Sequence, residues 1–486
     1  MIIMEIYSRK PEQQQLSEIL KRDRATFLAI YGRRRIGKTY LIRNFFIDKG
    51  TFFHITGVNN EKLFHQLHHF AQETQSTFGS GDDQQHPNSW DEAFERLQTG
   101  IQNCTEQGRI IIFLDELPWL ATHKSGFIQA LTYYWNRHWE NDHRIILSIC
   151  GSAASWMIKN VIDNKGGLYG RLTHQIKLMP FNLRETQEYL QCRGVILDHR
   201  QVAELYMATG GVAKYLDLVV PGKSSAQVIQ QLFFSKEAQS LSHEYDRLFQ
   251  SLFKDSNHHH RVVQLLVKKS SGLSRTELNE LAKLKSVSVQ QRVLKELIES
   301  GFISEMQPFG AKKKGSIYRL SDEFSLFSLR WKNEMNDPSI VSQSNYWLSL
   351  HRTPAWRAWA GFAFERLCFN HIPEILKSLG INGMHCKVSG WRFRPEPDSG
   401  EKGAQIDLVI DRPDHCIHLC EIKFSEEPYR ITSSYADELQ HKVRCFREQT
   451  KTRKTLFLTL MTSCGVASGA EKAPIHSEVV LKDFFI

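Results

Sequence analysis

An eight-residue segment near the start of the chain, Gly32-Arg-Arg-Arg-Ile-Gly-Lys-Thr39, has the G-x-x-x-x-G-K-T pattern of a phosphate-binding loop. An apolar stretch of strand character, 25–31, precedes it, and 40–46 has the apolar spacing of a helix. Strand, glycine loop and helix in this order distinguish a nucleotide-binding loop from a chance match. Glycines let backbone N–H groups turn toward phosphate oxygens, and the helix N-terminus adds positive potential. We therefore expect an α/β fold whose parallel sheet binds a nucleoside triphosphate.

Two side chains of this loop have predicted roles in the chemistry. Lys38 is expected to reach the β- and γ-phosphates, and Thr39 to place its hydroxyl on Mg²⁺. A glycine turn that merely opens a helix is the structural alternative, which the agreement of motif and context disfavours. The residues expected to contact the nucleotide are Gly32, Arg34, Arg35, Ile36, Gly37, Lys38, Thr39 and Tyr40.

The composition of the 486-residue chain is that of a globular protein with room for roughly three domains. No segment approaches the ~18 uninterrupted apolar residues of a membrane span, and the N-terminus turns acidic too soon for a secretory signal. The nine cysteines are scattered without paired spacing, which indicates reduced thiols. We therefore predict a cytoplasmic protein with no membrane partner.

The net charge of +9 is concentrated in one part of the chain. Residues 261–335 contain 14 Lys/Arg and 8 Asp/Glu, which supplies +6 of the total. A basic excess in one segment suggests an anionic partner, nucleic acid before any other. A solvated basic face without a partner explains the charge equally well.

Further polar residues suit nucleotide hydrolysis. The apolar run 110–114 predicts a strand buried on both faces of a parallel sheet. At its end, Asp115 would hold Mg²⁺ through water, and Glu116 could polarise the attacking water as a general base. Another apolar strand ends at Ser152. Arg171 lies in a glycine-bounded loop and could stabilise transferred phosphoryl charge, in cis or from a neighbouring subunit of a homo-oligomer.

The order of these motifs resembles that of the archaeal-type P-loop ATPases, which belong to the wider AAA+/STAND group. The segments that carry the resemblance are Tyr7-Ser-Arg9, GRRRIGKT, FLDELPWL, CGS, LYGR and TGGVAKYL. The resemblance implies a P-loop ATPase domain with a helical lid over residues 1–225, which hydrolyses ATP with Mg²⁺. It also implies that Ser152 senses the γ-phosphate. Ala213 stands where the family usually has proline, which weakens a nucleotide-sensing role for Lys214.

The segment 226–335 predicts a winged helix-turn-helix domain. Its predicted elements are helices at 261–267, from the capping box 274–277, and at 286–298, followed by strands at 301–305 and 316–320. DNA contact would come from the third helix in a groove and from lysines 312–314, between the strands, on phosphates. Packing of protein against protein is the alternative for such a domain.

The segment 345–486 carries a second acidic pattern. Asp407 lies near the start of the predicted strand 403–410, and Glu421 and Lys423 share one face of the next strand. Two carboxylates can bind Mg²⁺, the metal can polarise a phosphodiester, and a lysine can position or deprotonate water.

This second pattern resembles the PD-(D/E)XK, or restriction-endonuclease-like, superfamily, whose domain the archaeal-type ATPases frequently carry at their C-terminus. The resemblance implies that Asp407 and Glu421 are metal ligands, that Lys423 is catalytic, and that Glu365 supports the metal from a helix. Gln405 departs from the family, which often has an acid there. A degenerate nuclease fold with an incidental Glu-Lys pair is the alternative.

The three motif groups together predict an ATP-dependent nucleic-acid enzyme. ATP binding and hydrolysis would switch a DNA-binding, Mg²⁺-dependent nuclease module between states. One alternative is a signalling ATPase whose nucleotide state controls oligomerisation or partner binding. Another is a DNA-binding regulator that uses the winged helix alone. The intact set of Asp407, Glu421 and Lys423 favours the nuclease.

Overall fold

The polypeptide divides into two units, Met1–Pro180 and Phe181–Ile486. The structure is a computed structural model that describes residues 5–79, 86–105, 108–122, 124–163, 168, 170–236, 241–253, 255–284, 286–310, 315–343, 345–351, 353–396, 400–467 and 475–486. The predicted phosphate contacts of lysines 312–314 lie outside the described residues. No helix in the described part of the chain is long and apolar enough to cross a membrane.

The first unit alternates strands and helices. Its strands are β1 (Thr26–Tyr31), β2 (Gly50–Thr56), β3 (Arg109–Asp115), β4 (Ile145–Gly151) and β5 (His174–Lys177). Its α-helices are α1 (Lys10–Lys21), α2 (Lys38–Phe46), α3 (Leu63–Phe78), α4 (Trp90–Asn103), α5 (Leu117–Leu120), α6 (Phe127–Tyr134) and α7 (Ala154–Met157).

These strands form one parallel sheet in the order β2-β3-β4-β1-β5. Alternate residues of β3 enter two different cores, with Ile110 and Ile112 on one face and Ile111 and Phe113 on the other. A strand buried on both faces needs a continuous apolar run, which is the pattern in the sequence. The predicted parallel sheet is therefore confirmed. Because all strands run the same way, the carboxyl ends of β1, β3 and β4 meet at one edge.

The second unit begins with helices and contains two sheets. Its α-helices are α8 (Leu183–Cys192), α9 (His199–Thr209), α10 (Ala213–Leu216), α11 (Ser225–Phe233), α12 (Glu244–Leu252), α13 (Asn257–Val267), α14 (Arg275–Ala282), α15 (Val287–Glu299), α16 (Glu323–Arg330), α17 (Lys332–Met335), α18 (Pro338–Val341), α19 (Tyr346–Leu350), α20 (Pro354–Asn370), α21 (Ile372–Ser378) and α22 (Ser433–Thr450). Its strands are β6 (Leu273–Ser274), β7 (Ile303–Met306), β8 (Ile317–Leu320), β9 (Lys387–Phe393), β10 (Ala404–Asp411), β11 (Cys416–Lys423), β12 (Thr455–Thr462) and β13 (Ser477–Val480).

The smaller sheet accompanies helices α13, α14 and α15. Its strands pair antiparallel in the order β6-β8-β7. The predicted capping box begins α14, because the Ser274 hydroxyl accepts from the Glu277 N–H at 3.2 Å and the Glu277 carboxylate accepts from the Ser274 N–H at 2.7 Å. The two-residue strand β6 is absent from the predicted elements, since it is too short to give an alternating pattern.

The larger sheet has the order β13-β12-β11-β10-β9. Strands β9, β10 and β11 pair antiparallel, whereas β11, β12 and β13 pair parallel. Helix α20 covers one face, where Phe364 shares a core with Ile422. Helix α22 covers the other face, where Phe446 shares a core with Leu419.

We expect Gly211→Ala to destabilise the second unit far more than Gly210→Ala. Both glycines are left-handed, with φ of 65° and 66°, so alanine carries about 1 kcal/mol of backbone strain at either position. A Cβ at Gly211 would also lie 2.1 Å from the Phe181 carbonyl oxygen, whereas one at Gly210 has 3.4 Å to its nearest atom. The melting midpoint of the second unit should therefore fall about 5 °C further in Gly211→Ala. Equal midpoints would contradict the close approach.

Candidate functional site

The phosphate-binding loop joins the carboxyl end of β1 to the start of α2. Gly32 and Gly37 have φ of 147° and 94°, in the region that favours glycine. A Cβ at Gly32 would lie 2.3 Å from the carbonyl oxygen of Leu178, so no larger residue fits there. The loop backbone therefore passes close to the chain that follows β5.

Lys38 and Thr39 are held in place by the loop and by the end of β3. The buried Lys38 ammonium donates to the carbonyl oxygens of Gly32 at 3.0 Å and Arg33 at 2.8 Å, which centres it over the loop. The Thr39 hydroxyl donates to the Asp115 carboxylate at 2.9 Å, across the width of β4. A hydroxyl and a carboxylate are oxygen ligands of the kind that Mg²⁺ binds, so this pair fits the expected metal.

Glu116 is fixed beside the same loop. Its φ of 47° turns the chain sharply after β3, and its N–H donates to the Asp115 carboxylate at 3.0 Å. The Glu116 carboxylate accepts from the Ser152 N–H at 3.1 Å and the Ser152 hydroxyl at 2.9 Å. The structure therefore brings Asp115, Glu116 and Ser152 together at the carboxyl edge of the sheet, as the sequence predicts.

The remaining loop residues make protein contacts. The Arg34 guanidinium lies 5.6 Å from the centre of the Trp119 ring. The backbone of Arg35 has the left-handed conformation, with φ of 70°. The buried Ile36 offers its carbonyl oxygen to the Arg9 guanidinium at 3.2 Å. These contacts support the loop.

Tyr40 lies one residue beyond the loop and is 40% exposed. Its hydroxyl donates to the carbonyl oxygen of Glu5 at 3.1 Å. The side chain therefore contacts the N-terminal segment.

Arg9 and Trp119 are site residues that the sequence analysis did not identify as such. They stand in the Tyr7-Ser-Arg9 and FLDELPWL segments, which carry the resemblance but assign no contact to either residue. Arg9 is buried and left-handed, with φ of 58°. The burial of a basic side chain would have identified Arg9 as a site residue, but burial can be seen only in the folded chain.

Arg171 lies at the opposite edge of the sheet from the phosphate-binding loop. It precedes β5, and the nearby Thr173 N–H donates to the carbonyl oxygen of Phe27 at the start of β1. The six residues of β1 separate that edge from the loop by about 20 Å. The Arg171 guanidinium pairs instead with the Glu140 carboxylate at 2.9 Å. The geometry does not support a role in cis, and a role in trans stays a prediction.

A bulge in the larger sheet of the second unit re-aims Asp407. The pairing of β10 with β9 shifts by one residue between Ile406 and Val409. Ile406 and Val409 consequently enter the same core although they are three residues apart. Bulges of this kind redirect a side chain. The Asp407 carboxylate accepts from the Ile422 N–H on β11 at 3.1 Å.

Leu408 on β10 pairs with Cys420 on β11, so the next residues along these antiparallel strands, Asp407 and Glu421, lie opposite each other. Glu421 is 1% exposed, and one carboxylate oxygen accepts from the Lys442 ammonium at 2.7 Å and the Tyr435 hydroxyl at 3.4 Å. The other oxygen, Oε1, is buried and has no hydrogen-bond donor among the residues that the structure describes. Burial raises the pKa of Glu421 to about 7; the Asp407 carboxylate adds to the rise and the Lys442 ammonium opposes it.

Lys423 and Glu365 approach this pair from different sides. The Lys423 ammonium lies 5.1 Å from the centre of the Tyr435 ring, so Lys423 faces α22 as Glu421 does. Glu365, on α20, pairs with the Arg319 guanidinium at 3.6 Å. Burial, followed by the Asp407 carboxylate, raises the pKa of Glu365.

The structure does not gather the three predicted metal-ligating carboxylates into one site. Within the described ranges, no three His, Cys, Asp or Glu residues are placed to hold a common metal ion. The geometry therefore supports Asp407 and Glu421 as a pair of ligands and does not support Glu365 as a third. Tyr435 and Lys442, two turns apart on α22, are the neighbours of this site that the sequence analysis missed.

Comparison with known proteins bears on the first of these sites. Residues 6–219 match a family described as an ATPase domain predominantly from Archaea, so the chain carries an archaeal-type ATPase domain. An uncharacterized protein of Methanocaldococcus jannaschii is 23% identical over 442 residues, which are 89% of this chain and 91% of that protein. The structure of a Walker-type ATPase of Pyrococcus abyssi aligns with 67% of this chain and 96% of its own chain, at 15% identity and a TM-score of 0.46. The structure of the ORC2 protein of Aeropyrum pernix aligns with 68% of this chain and 94% of its own chain, at 15% identity and a TM-score of 0.45.

Proposed function

We propose that the first unit binds ATP with Mg²⁺ and hydrolyses it. The hydrogen bond between the Thr39 hydroxyl and the Asp115 carboxylate carries this proposal, because it joins the phosphate-binding loop to the acidic end of β3. Mg²⁺ would neutralise phosphate charge there. Lys38 would donate to the phosphate oxygens, and Glu116 would accept a proton from the attacking water. Ser152 would hold the Glu116 carboxylate in place and contact the γ-phosphate.

The second unit would engage DNA through α15. In this proposal, residues 1–225 form the ATPase domain with its helical lid, 226–335 a winged helix-turn-helix domain and 345–486 a nuclease-like domain. Three helices followed by the antiparallel strands β7 and β8 support the middle assignment. The buried face of α15 is largely apolar, and the exposed face carries side chains able to contact bases or phosphates, namely Ser288, Gln291, Arg292 and Lys295.

The larger sheet of the second unit would cleave phosphodiesters. Mg²⁺ is commonly bound through one or two carboxylates together with substrate phosphates, so Asp407 and Glu421 suffice as protein ligands. The buried Glu421 Oε1, without a donor among the described residues, supports a cation at this position. Lys423, on the same face of β11, would position or deprotonate the attacking water.

The Lys442 ammonium favours a second candidate function. It lies 2.7 Å from the Glu421 carboxylate and supplies a permanent positive charge where a metal would bind. A nuclease-like domain neutralised in this way would serve as the structural part of a nucleotide-controlled switch, which regulates oligomerisation or partner binding. Cleavage assays separate the two functions.

We expect Lys38→Ala to lower ATP hydrolysis by at least about 100-fold, because it removes a donor aimed at developing phosphate charge. Phosphate release by the full-length protein with ATP and Mg²⁺ measures the effect. Lys49→Ala is the matched control, since Lys49 is 41% exposed and pairs with the adjacent Asp48. Hydrolysis at the wild-type rate in Lys38→Ala would remove the loop from the active site.

A further inference from the structure

We propose that a basic cavity beside Arg319 in the second unit binds a phosphate group. The cavity has a volume of about 330 Å³ and lies between the smaller sheet and strands β9 and β10. That volume is at the lower end of the range for ligand pockets. The residues that line it include Arg319, Arg392, Arg394, Gln405, Glu277 and Gly390. A second cavity of about 130 Å³ adjoins Arg319 and is also lined by Glu365 and Arg366.

Arg319 is the central donor of this cavity. Its side chain, on β8, is only 11% exposed, and its Nε and Nη1 atoms are buried with no hydrogen-bond partner in the described part of the chain. Nη1 lies 3.6 Å from the Glu365 carboxylate, beyond hydrogen-bond distance. A guanidinium has five N–H donors in a planar fork, and burying donors without acceptors is costly. An anion in the cavity would satisfy them.

Gly390 makes room for the Arg319 guanidinium. A Cβ at Gly390 would lie 3.0 Å from Arg319 Nη2 and 3.8 Å from the carbonyl oxygen of Asp407. The guanidinium therefore lies against the bulge that carries Asp407. A phosphate bound by Arg319 would adjoin the proposed cleavage site.

The charges around the cavity are unbalanced. The only acid of its lining within the described residues, Glu277, already accepts from the Ser274 N–H at 2.7 Å. Burial lowers the pKa of Arg319; the Glu365 and Asp407 carboxylates oppose this effect, and the weaker influence of Arg366 and Arg392 adds to it. Three arginines against one acid in the lining favour a bound anion, and the guanidinium fork matches phosphate oxygens in two-point contact.

The phosphate could belong to a nucleic-acid backbone or be free. The backbone as the source rests on the proposed function, because the cavity adjoins Asp407. Fluorescein-labelled single- and double-stranded oligonucleotides, bound by the full-length protein in EDTA, test that source without cleavage. Inorganic phosphate, compared with chloride at equal ionic strength in thermal melts, tests the free anion.

Arg319→Gln and Arg394→Gln are each expected to weaken oligonucleotide binding about tenfold and to reduce the salt slope by about 1. Arg330→Gln is the matched control, since Arg330 is exposed in the same unit and does not line the cavity. Arg394 is exposed, so its variant decides the matter if Arg319→Gln fails to fold.

The possible results distinguish the two sources of the phosphate and separate the cavity from the nuclease. Arginine-dependent oligonucleotide binding supports a backbone phosphate. Stabilisation by inorganic phosphate that is lost in Arg319→Gln, with oligonucleotide affinity unchanged, supports a free phosphate. Unchanged oligonucleotide binding together with no phosphate-specific stabilisation overturns the proposal. If oligonucleotide binding depends on Arg319 but the protein does not cleave in Mg²⁺, the cavity is supported and the proposed nuclease activity is not. If the protein cleaves in Mg²⁺ and Arg319→Gln leaves oligonucleotide affinity unchanged, the nuclease activity is supported and a backbone phosphate in the cavity is not.

Discussion

Glu116→Gln is expected to lower ATP turnover about 100- to 1000-fold while ATP still binds. Glutamine keeps the size of the side chain and its hydrogen-bonding reach, but it cannot accept the proton of the attacking water. The phosphate-binding loop, with Lys38 and Thr39, is unchanged by this substitution. Turnover should therefore fall without a matching loss of affinity for the nucleotide.

Phosphate release at saturating ATP, together with binding of a fluorescent ATP analogue, separates these two effects. Ser152→Ala removes one of the two bonds to the Glu116 carboxylate and leaves the other, so its turnover should fall less. Glu95→Gln is the matched control, because Glu95 is an exposed acid on α4. Wild-type turnover in Glu116→Gln would show that another group accepts the proton.

The first unit was largely predictable because its chemistry follows local patterns. The loop at 32–39 and the run ending in Asp115 each mark a strand end, and parallel strands bring such ends to one edge. The sequence left Arg171 open between a role in cis and one in trans, because its position depends on which edge of the sheet its loop reaches. The pairing of β5 beside β1 decides that edge, and a strand's own sequence does not identify its partner in the sheet.

The second unit was predictable in its elements and less so in its contacts. The face shared by Glu421 and Lys423 follows from the two-residue period of a strand. The bulge at Asp407 adds one residue to one strand only, and the pairing partner cannot be identified from β10 alone. The pairing of Glu365 with Arg319 joins residues 46 positions apart and depends on how β8 meets α20. Such contacts arise from packing, which periodicity does not encode.

Asp407→Asn is expected to reduce Mg²⁺-dependent cleavage by about 1000-fold, because it removes charge from a site that must hold a divalent cation. The substitution keeps an oxygen that can accept from the Ile422 N–H, so the bulge should persist. The assay is best run near pH 8 (about one unit above the raised pKa of Glu421), since a carboxylate binds metal when ionised. Below pH 7 the protonated Glu421 would weaken metal binding on its own.

Single- and double-stranded DNA and RNA, with Mg²⁺ or EDTA and with or without ATP, provide the substrates for this comparison. Asp414→Asn is the matched control, because Asp414 is exposed in the same unit and pairs with Arg412. Cleavage by the wild type and Asp414→Asn, but not by Asp407→Asn, assigns the reaction to the bulge. If all three proteins leave every substrate intact, the second candidate function is supported. The Lys442 ammonium would then occupy the place of a metal beside Glu421, and the larger sheet would be the structural part of an ATP-controlled switch.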